Sequence, residues 1–247
     1  MYIKKNIPSD FEVVVTSFGG VGTTFIIDFI RQYYRVNDRS DKDKLKHLPY
    51  PPLSINSDLK FIYLVGDPVM AAISLFRRNL HHYQSKKIIR GLRNKEQPIP
   101  ATMTIEQFAS EGIDRFYFKE HFNNWYNFLH TNPVLFLKYD AIYDNLEKIF
   151  DFLNLPREFV STFPPFRTRE SHKLKLSDNT LEQLQTIYHD FNVELRQVPD
   201  ITVYYPDSGK FIKNIKSYSH FSASSIYWGV RKAIAPTHGW LRSKLNF

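Results

Sequence analysis

The stretch "FEVVVTSFGGVGTTFIIDFI", residues 11–30, joins an apolar run to a glycine turn and then to a helical pattern. The β-branched run up to Phe18, bounded by Asp10 and Gly19, reads as a strand. Phe25, Ile26, Phe29 and Ile30 recur at the spacing of one helical face. Between them lie Gly19, Gly20, Val21 and Gly22, followed by Thr23 and Thr24. Such a turn presents backbone N–H groups at the positive end of a helix dipole, and glycine lets the backbone wrap closely around an oxyanion. The threonines add hydroxyl donors. The stretch therefore predicts a first βα unit whose turn holds an anion, in the first instance a phosphate.

Working outward, "KFIYLVGD" (60–67) and "VLFLKYD" (134–140) read as two further buried strands. "PVMAAISLFRRNLHHYQ" (68–84) reads as one helix opened by Pro68, with a loop over 91–103. "TIEQFASEG", "FKEHFNNWYNFLHTNP", "NLEKIFDFLNLP" and "DNTLEQLQTIYHDFNVELRQV" read as helices, and the faces holding Phe122, Trp125, Phe128 and Leu129 as core. Continuous apolar strands alternating with helices predict an α/β fold with a mostly parallel sheet covered on both faces. Clear periodicity ends at Val198. The chain divides on this reading into an α/β domain over 1–198 and a basic, aromatic extension over 199–247 packed on or near it.

Composition narrows the chemistry. The 247 residues are 43% hydrophobic and 16% aromatic, enough for a real core. There is no cysteine, which excludes disulfides and thiol catalysis, and the nine histidines show no metal-ligand spacing, so no metal is expected. No apolar stretch approaches the length of a membrane span, and the first one is a strand, so a soluble, cytoplasmic protein is expected. The net charge of +8 is uneven: residues 77–95 and 209–247 each carry seven Lys/Arg and no Asp/Glu. Two acid-free basic blocks point to an anionic partner, a phosphorylated compound, an acidic glycan or a lipid surface, against the plainer reading of a solvated face. No nucleic acid is expected.

The turn is not a Walker A loop, because Thr23 stands where the lysine belongs, and it is not a dinucleotide fingerprint, because Phe25 stands where the third glycine belongs. Gly-Thr-Thr followed by an aromatic resembles the 5′-phosphosulfate loop of the PAPS-dependent sulfotransferases. "KHLPYPPL" (46–53), the following strand and Ser74, eight residues after Gly66, are similar to that family's Lys-Thr-His-Leu-Pro segment and its Arg-to-Ser spacing. "VLFLKYDAIYDNLEKIFDFLNLP" and the helix over 178–198 resemble the family's later segments. The likeness covers about residues 11–196. It implies a three-layer, P-loop-like sheet flanked by helices, PAPS as donor with PAP as product, and no metal. It implies roles too: Gly19, Gly20, Val21, Gly22, Thr23 and Thr24 on the 5′ end, with Phe25 and Tyr139 near the adenine. His47 becomes the base with Lys46 beside it, and Ser74 falls on the 3′-phosphate.

Three cations of the family pattern are absent. Gly20 replaces the loop lysine, Gly66 the 3′-phosphate arginine, and Leu45 the lysine two before the histidine. Substitutes lie near in sequence: Lys46, then Arg77 and Arg78 one turn past Ser74, then Arg167, Arg169 and Lys173 in a basic loop. Three readings stay open at this point: a sulfotransferase acting on a hydroxyl or amine, a degenerate relative that binds without turnover, and a P-loop kinase. An anionic or glycan acceptor, and peripheral membrane contact by the C-terminal segment, are the partners expected.

Overall fold

The three apolar runs become three adjacent parallel strands in the computed structural model, which describes residues 7–52, 58–92, 96–128, 130–165 and 176–206. They are β1 (Val13–Thr16), β2 (Lys60–Val65) and β3 (Val134–Lys138). Val13 pairs with Lys60, and Phe61 with Val134. Nearly every strand residue is buried, so both faces of the sheet are covered, which is why these strands are continuously apolar. A fourth strand, β4 (Ile201–Tyr204), pairs antiparallel with β3 and completes the order β1-β2-β3-β4. The sheet thus runs on past residue 198. Its last strand is only half-buried, so it lacks the strong apolar signature of the others.

Helices flank this sheet, giving the expected α/β class. The first, α1 (Thr23–Ile30), follows the glycine turn and buries Ile26, Ile27, Phe29 and Ile30. The single helix expected over 68–84 is two helices. α2 (Pro68–Arg77) is capped by the Asp67 carboxylate on the N–H of Val69 and Met70. α3 (His81–Leu92) starts after Asn79, which takes a left-handed φ of 54°. Asparagine tolerates that conformation and the chain turns there. α3 also occupies part of the span expected as loop. A capping box of Thr104 and Gln107 opens α4 (Ile105–Ser110), and α5 (Phe118–Tyr126) buries Phe122 and Trp125 in the core. Phe128 is half-buried, and Leu129 lies outside the described residues. α6 (Leu146–Leu153), α7 (Asp178–Ile187) and α8 (His189–Gln197) complete the covering.

The polar connection after α1 seals the outer edge of β1. Asn37 is fully buried, and its side-chain amide accepts from the Val15 N–H at 2.8 Å and donates to the Val15 carbonyl at 3.1 Å. One side chain thereby satisfies both backbone groups of an edge residue. Among the described residues, no helix is long and apolar enough to cross a membrane.

Candidate active site

The turn between β1 and α1 is built by close approach. Gly20 has φ +75°, and a Cβ there would lie 2.7 Å from the Ala71 carbonyl on α2. Gly22 has φ +86°, and its Cβ would lie 2.2 Å from the Tyr139 ring. Both positions admit only glycine without rearrangement. At Gly19 the Gln84 side chain of α3 fills the space, and its amide donates to the Phe18 carbonyl at 2.9 Å. Val21 is fully buried and packs towards Gly66, where a Cβ would meet it at 3.2 Å. Of the three positions that lack the expected cations, Gly20 is therefore closed by backbone, and Gly66 is tightly packed against a side chain.

The backbone N–H groups from Gly20 to Thr24 remain available. Gly22 precedes α1 with no side-chain cap, and the first turn of the helix holds no acid. Ser17 and Thr23 hydroxyls bond to each other at 2.7 Å, and Ser17 Oγ accepts from the Gly19 N–H at 3.1 Å. Thr23 thus braces the turn from inside, with its side chain buried. Thr24 is half-buried and accepts from the Lys46 ammonium. A cradle of three tight glycines below an uncapped helix end fits a phosphate group.

The segment carrying His47 runs along the end of β1. Ser17 N–H donates to the Lys46 carbonyl at 3.1 Å, and Leu48 N–H donates to Thr16 Oγ1 at 3.1 Å. Trp125 Nε1 donates to the Leu48 carbonyl at 2.7 Å and holds the segment from below. His47 itself is half-buried, with Nδ1 2.9 Å from the Ser17 carbonyl. A carbonyl only accepts, so Nδ1 carries the proton and Nε2 keeps the lone pair. Burial holds the imidazole well below its usual range, the Lys87, Lys46 and Arg78 cations push the same way, and the Ser17 carbonyl pulls back. The ring is therefore neutral at pH 7. Behind it, fully buried His121 of α5 is held 3.0 Å from the Tyr63 hydroxyl and is pushed by burial down to about 3.

Asp41 organises the rest of this corner. It is buried, with φ 61°. Its Oδ1 accepts from the Lys46 N–H at 2.8 Å, and its Oδ2 pairs with the Lys87 ammonium. Lys46 also donates to the Arg39 carbonyl at 2.9 Å, and burial lowers its pKa, with Arg78 and Lys87 adding to the effect and Asp41 opposing it. Arg78 folds back on its own helix, donating from Nε to the Ser74 carbonyl at 3.0 Å. Lys46, His47, Lys87 and Arg78 therefore share one neighbourhood beside the turn.

The other residues singled out from sequence fall as follows. Tyr139 stands against Gly22, at the turn. Phe25 packs edge-on to Phe163 at 5.5 Å, within an aromatic group completed by Tyr143. Ser74 is half-buried on α2. Arg167, Arg169, Lys173 and the basic segment from 207 lie outside the described residues. An open hollow along α5, lined by Asp114, Tyr117, Lys119, Glu120, Asn123 and Asn124, shares no residue with this corner. Among the described residues no group of three or more His, Asp or Glu side chains could hold a metal ion. Sequence reading did not single out Lys87 or Asp41. They lie 46 positions apart, and α3 was not recognised as a separate helix.

Compared with known proteins, the chain matches the sulfotransferase domain family over residues 23–197. No curated protein matches it in sequence.

Proposed function

The chain belongs to the sulfotransferase family, and from that premise we propose that it transfers a sulfuryl group from PAPS to a hydroxyl or amine of an acceptor molecule. The observation that carries the reading is the placing of a neutral His47, its lone pair on Nε2, beside an uncapped glycine turn. Bound PAPS would supply the sulfuryl group, the acceptor oxygen bonding to sulfur as the sulfur–oxygen bond to phosphate breaks. The turn's N–H groups and Thr24 bind and orient the donor's 5′ end, at the positive pole of α1. His47 Nε2 takes the proton from the acceptor hydroxyl. Ser74 and Arg78 bind the 3′-phosphate, and Tyr139 borders the nucleotide. The exposed cations Arg77, Lys86 and Arg90 favour an anionic acceptor such as an acidic glycan.

His47→Ala is expected to lower turnover by about 10²–10⁴-fold while PAP affinity changes by only a few-fold. Because burial depresses the His47 pKa, turnover in the wild type should hold steady as pH falls to 6.5 and decline only below it. Calorimetric titration with PAP and a pH–rate profile check both. Near-normal turnover in His47→Ala would overturn the role of the base. A second reading, a relative that binds but does not catalyse, is favoured by the closed packing at Gly20, which leaves no room for the loop lysine. PAP binding without turnover on any acceptor would support that second reading.

A further inference from the structure

Gly20 cannot carry the cation that an anionic leaving group calls for. Its φ is +75° and the Ala71 carbonyl blocks a side chain. The charge has to come from another element, and α3 runs beside the turn. Gln84 of α3 donates to the Phe18 carbonyl at 2.9 Å. Gly91 of the same helix lies against Pro49, two residues after His47, where a Cβ would approach to 2.5 Å. Lys87 falls between these two contacts, three residues on from Gln84 and four before Gly91, so one helical face lies along the turn and the His47 segment.

Lys46 is a weaker candidate. Two of its three N–H groups go to Thr24 Oγ1 and the Arg39 carbonyl. Lys87 has one N–H on Asp41, while the Tyr83 ring lies 4.4 Å from its ammonium. Asp41 fixes both lysines at once, through Oδ2 to Lys87 and Oδ1 to the Lys46 backbone.

We propose that Lys87 is the catalytic cation of this site, contacting the donor's 5′-phosphate in place of the missing turn lysine, with Asp41 as its positioning residue. The proposal rests on the reading of the chain as a PAPS-using enzyme. A lysine ammonium has three donors, so it can hold Asp41 and a phosphate oxygen together. The phosphate gains negative charge as the sulfur–oxygen bond breaks, so this contact strengthens along the reaction.

The test needs no acceptor. The full chain is titrated calorimetrically with PAP and with adenosine 3′-phosphate, which lacks the 5′-phosphate. Lys87→Met is expected to weaken PAP by at least about tenfold and adenosine 3′-phosphate by less than about twofold. Lys87→Arg should keep PAP within about threefold, because the charge persists. Lys87→Gln, which keeps length and polarity, should repeat the Met result if Met impairs folding. PAP affinity unchanged in Lys87→Met and Lys87→Gln, or equal losses for both nucleotides, would overturn the proposal while the donor reading stands. A wild-type chain that binds neither compound would remove the donor reading, and the proposal with it.

Discussion

The turn at Gly19–Gly22 and the corner built on Asp41 meet at Thr24, and they manage negative charge by opposite means. The turn holds no ionisable side chain from Ser17 to Thr24. It offers backbone N–H groups, fixed by glycines packed against α2, α3 and Tyr139. The corner offers side-chain cations drawn from three places, Lys46 in the connection, Arg78 at the end of α2 and Lys87 on α3, around one buried carboxylate. The first is held by close packing around its glycines. The second is tunable because each cation hangs on a separate segment.

Asp114, just ahead of α5, shows what uncharged donors do without a cation. Its carboxylate accepts from the N–H groups of Phe116 at 3.0 Å and Phe118 at 2.9 Å, and from the Tyr188 hydroxyl at 3.0 Å. No cation contributes, and burial still pushes its pKa up to about 6. Uncharged donors by themselves do not offset the burial of a charge there. By the same physics, the phosphate proposed for the turn would gain from the cations of the corner as well.

The comparison can be broken hardest at Gly20. Gly20→Ala forces a side chain onto the Ala71 backbone at a positive φ, and it is expected to cost about 2–5 kcal/mol of stability. A urea melt reads this directly. A loss under about 1 kcal/mol would show slack in the turn, and rigidity would no longer separate it from the corner.

Asp114 gives the next largest effect. Its folded pKa lies above the unfolded value, so its contribution to stability is full at low pH and fades as pH rises through about 6. From pH 4 to pH 7 this amounts to roughly 2 kcal/mol, and Asp114→Asn should flatten the curve whatever its absolute stability. An equally steep curve in Asp114→Asn would move the titration elsewhere and remove the contrast between amide-held and cation-held charge.

The smallest effect sharpens the comparison at the joint between α2 and α3. Asn79→Gly should shift stability by no more than about 0.5 kcal/mol, because glycine accepts the left-handed φ of 54° at least as well. PAP affinity should be unchanged, since α3 keeps its place. A marked loss of affinity with normal stability would show that the asparagine side chain, and not the backbone turn, places Lys87.

The turn was legible in the sequence because everything that defines it is local: a β-branched run, three glycines in four residues, then threonines and an apolar helical face. The parallel strands were legible for the same reason. The corner was hidden because its links are long-range. Asp41 and Lys87 meet across 46 positions, and the helical pattern from Pro68 runs unbroken through the place where Asn79 turns the chain. Asn79 was the one local sign, a residue at ease in the left-handed region. β4 escaped notice because four residues at a sheet edge, three half-buried and Val203 exposed, carry no strong pattern. Asn37 escaped because a side chain that pairs with backbone looks, in sequence, like any polar linker residue.

The walls of the turn have a consequence for a chain being made from its N-terminus. Gly20 meets residue 71, Gly19 meets residue 84 and Gly22 meets residue 139. A growing chain that stops short of β3 has the glycines and the threonines but lacks the last wall that shapes them. The turn, although written within the first 24 residues, gains its last wall only after more than half the protein has been synthesised. On the proposed reading, nucleotide capture would report that the chain has grown past β3, and a shorter product that exposes the same motif would stay silent.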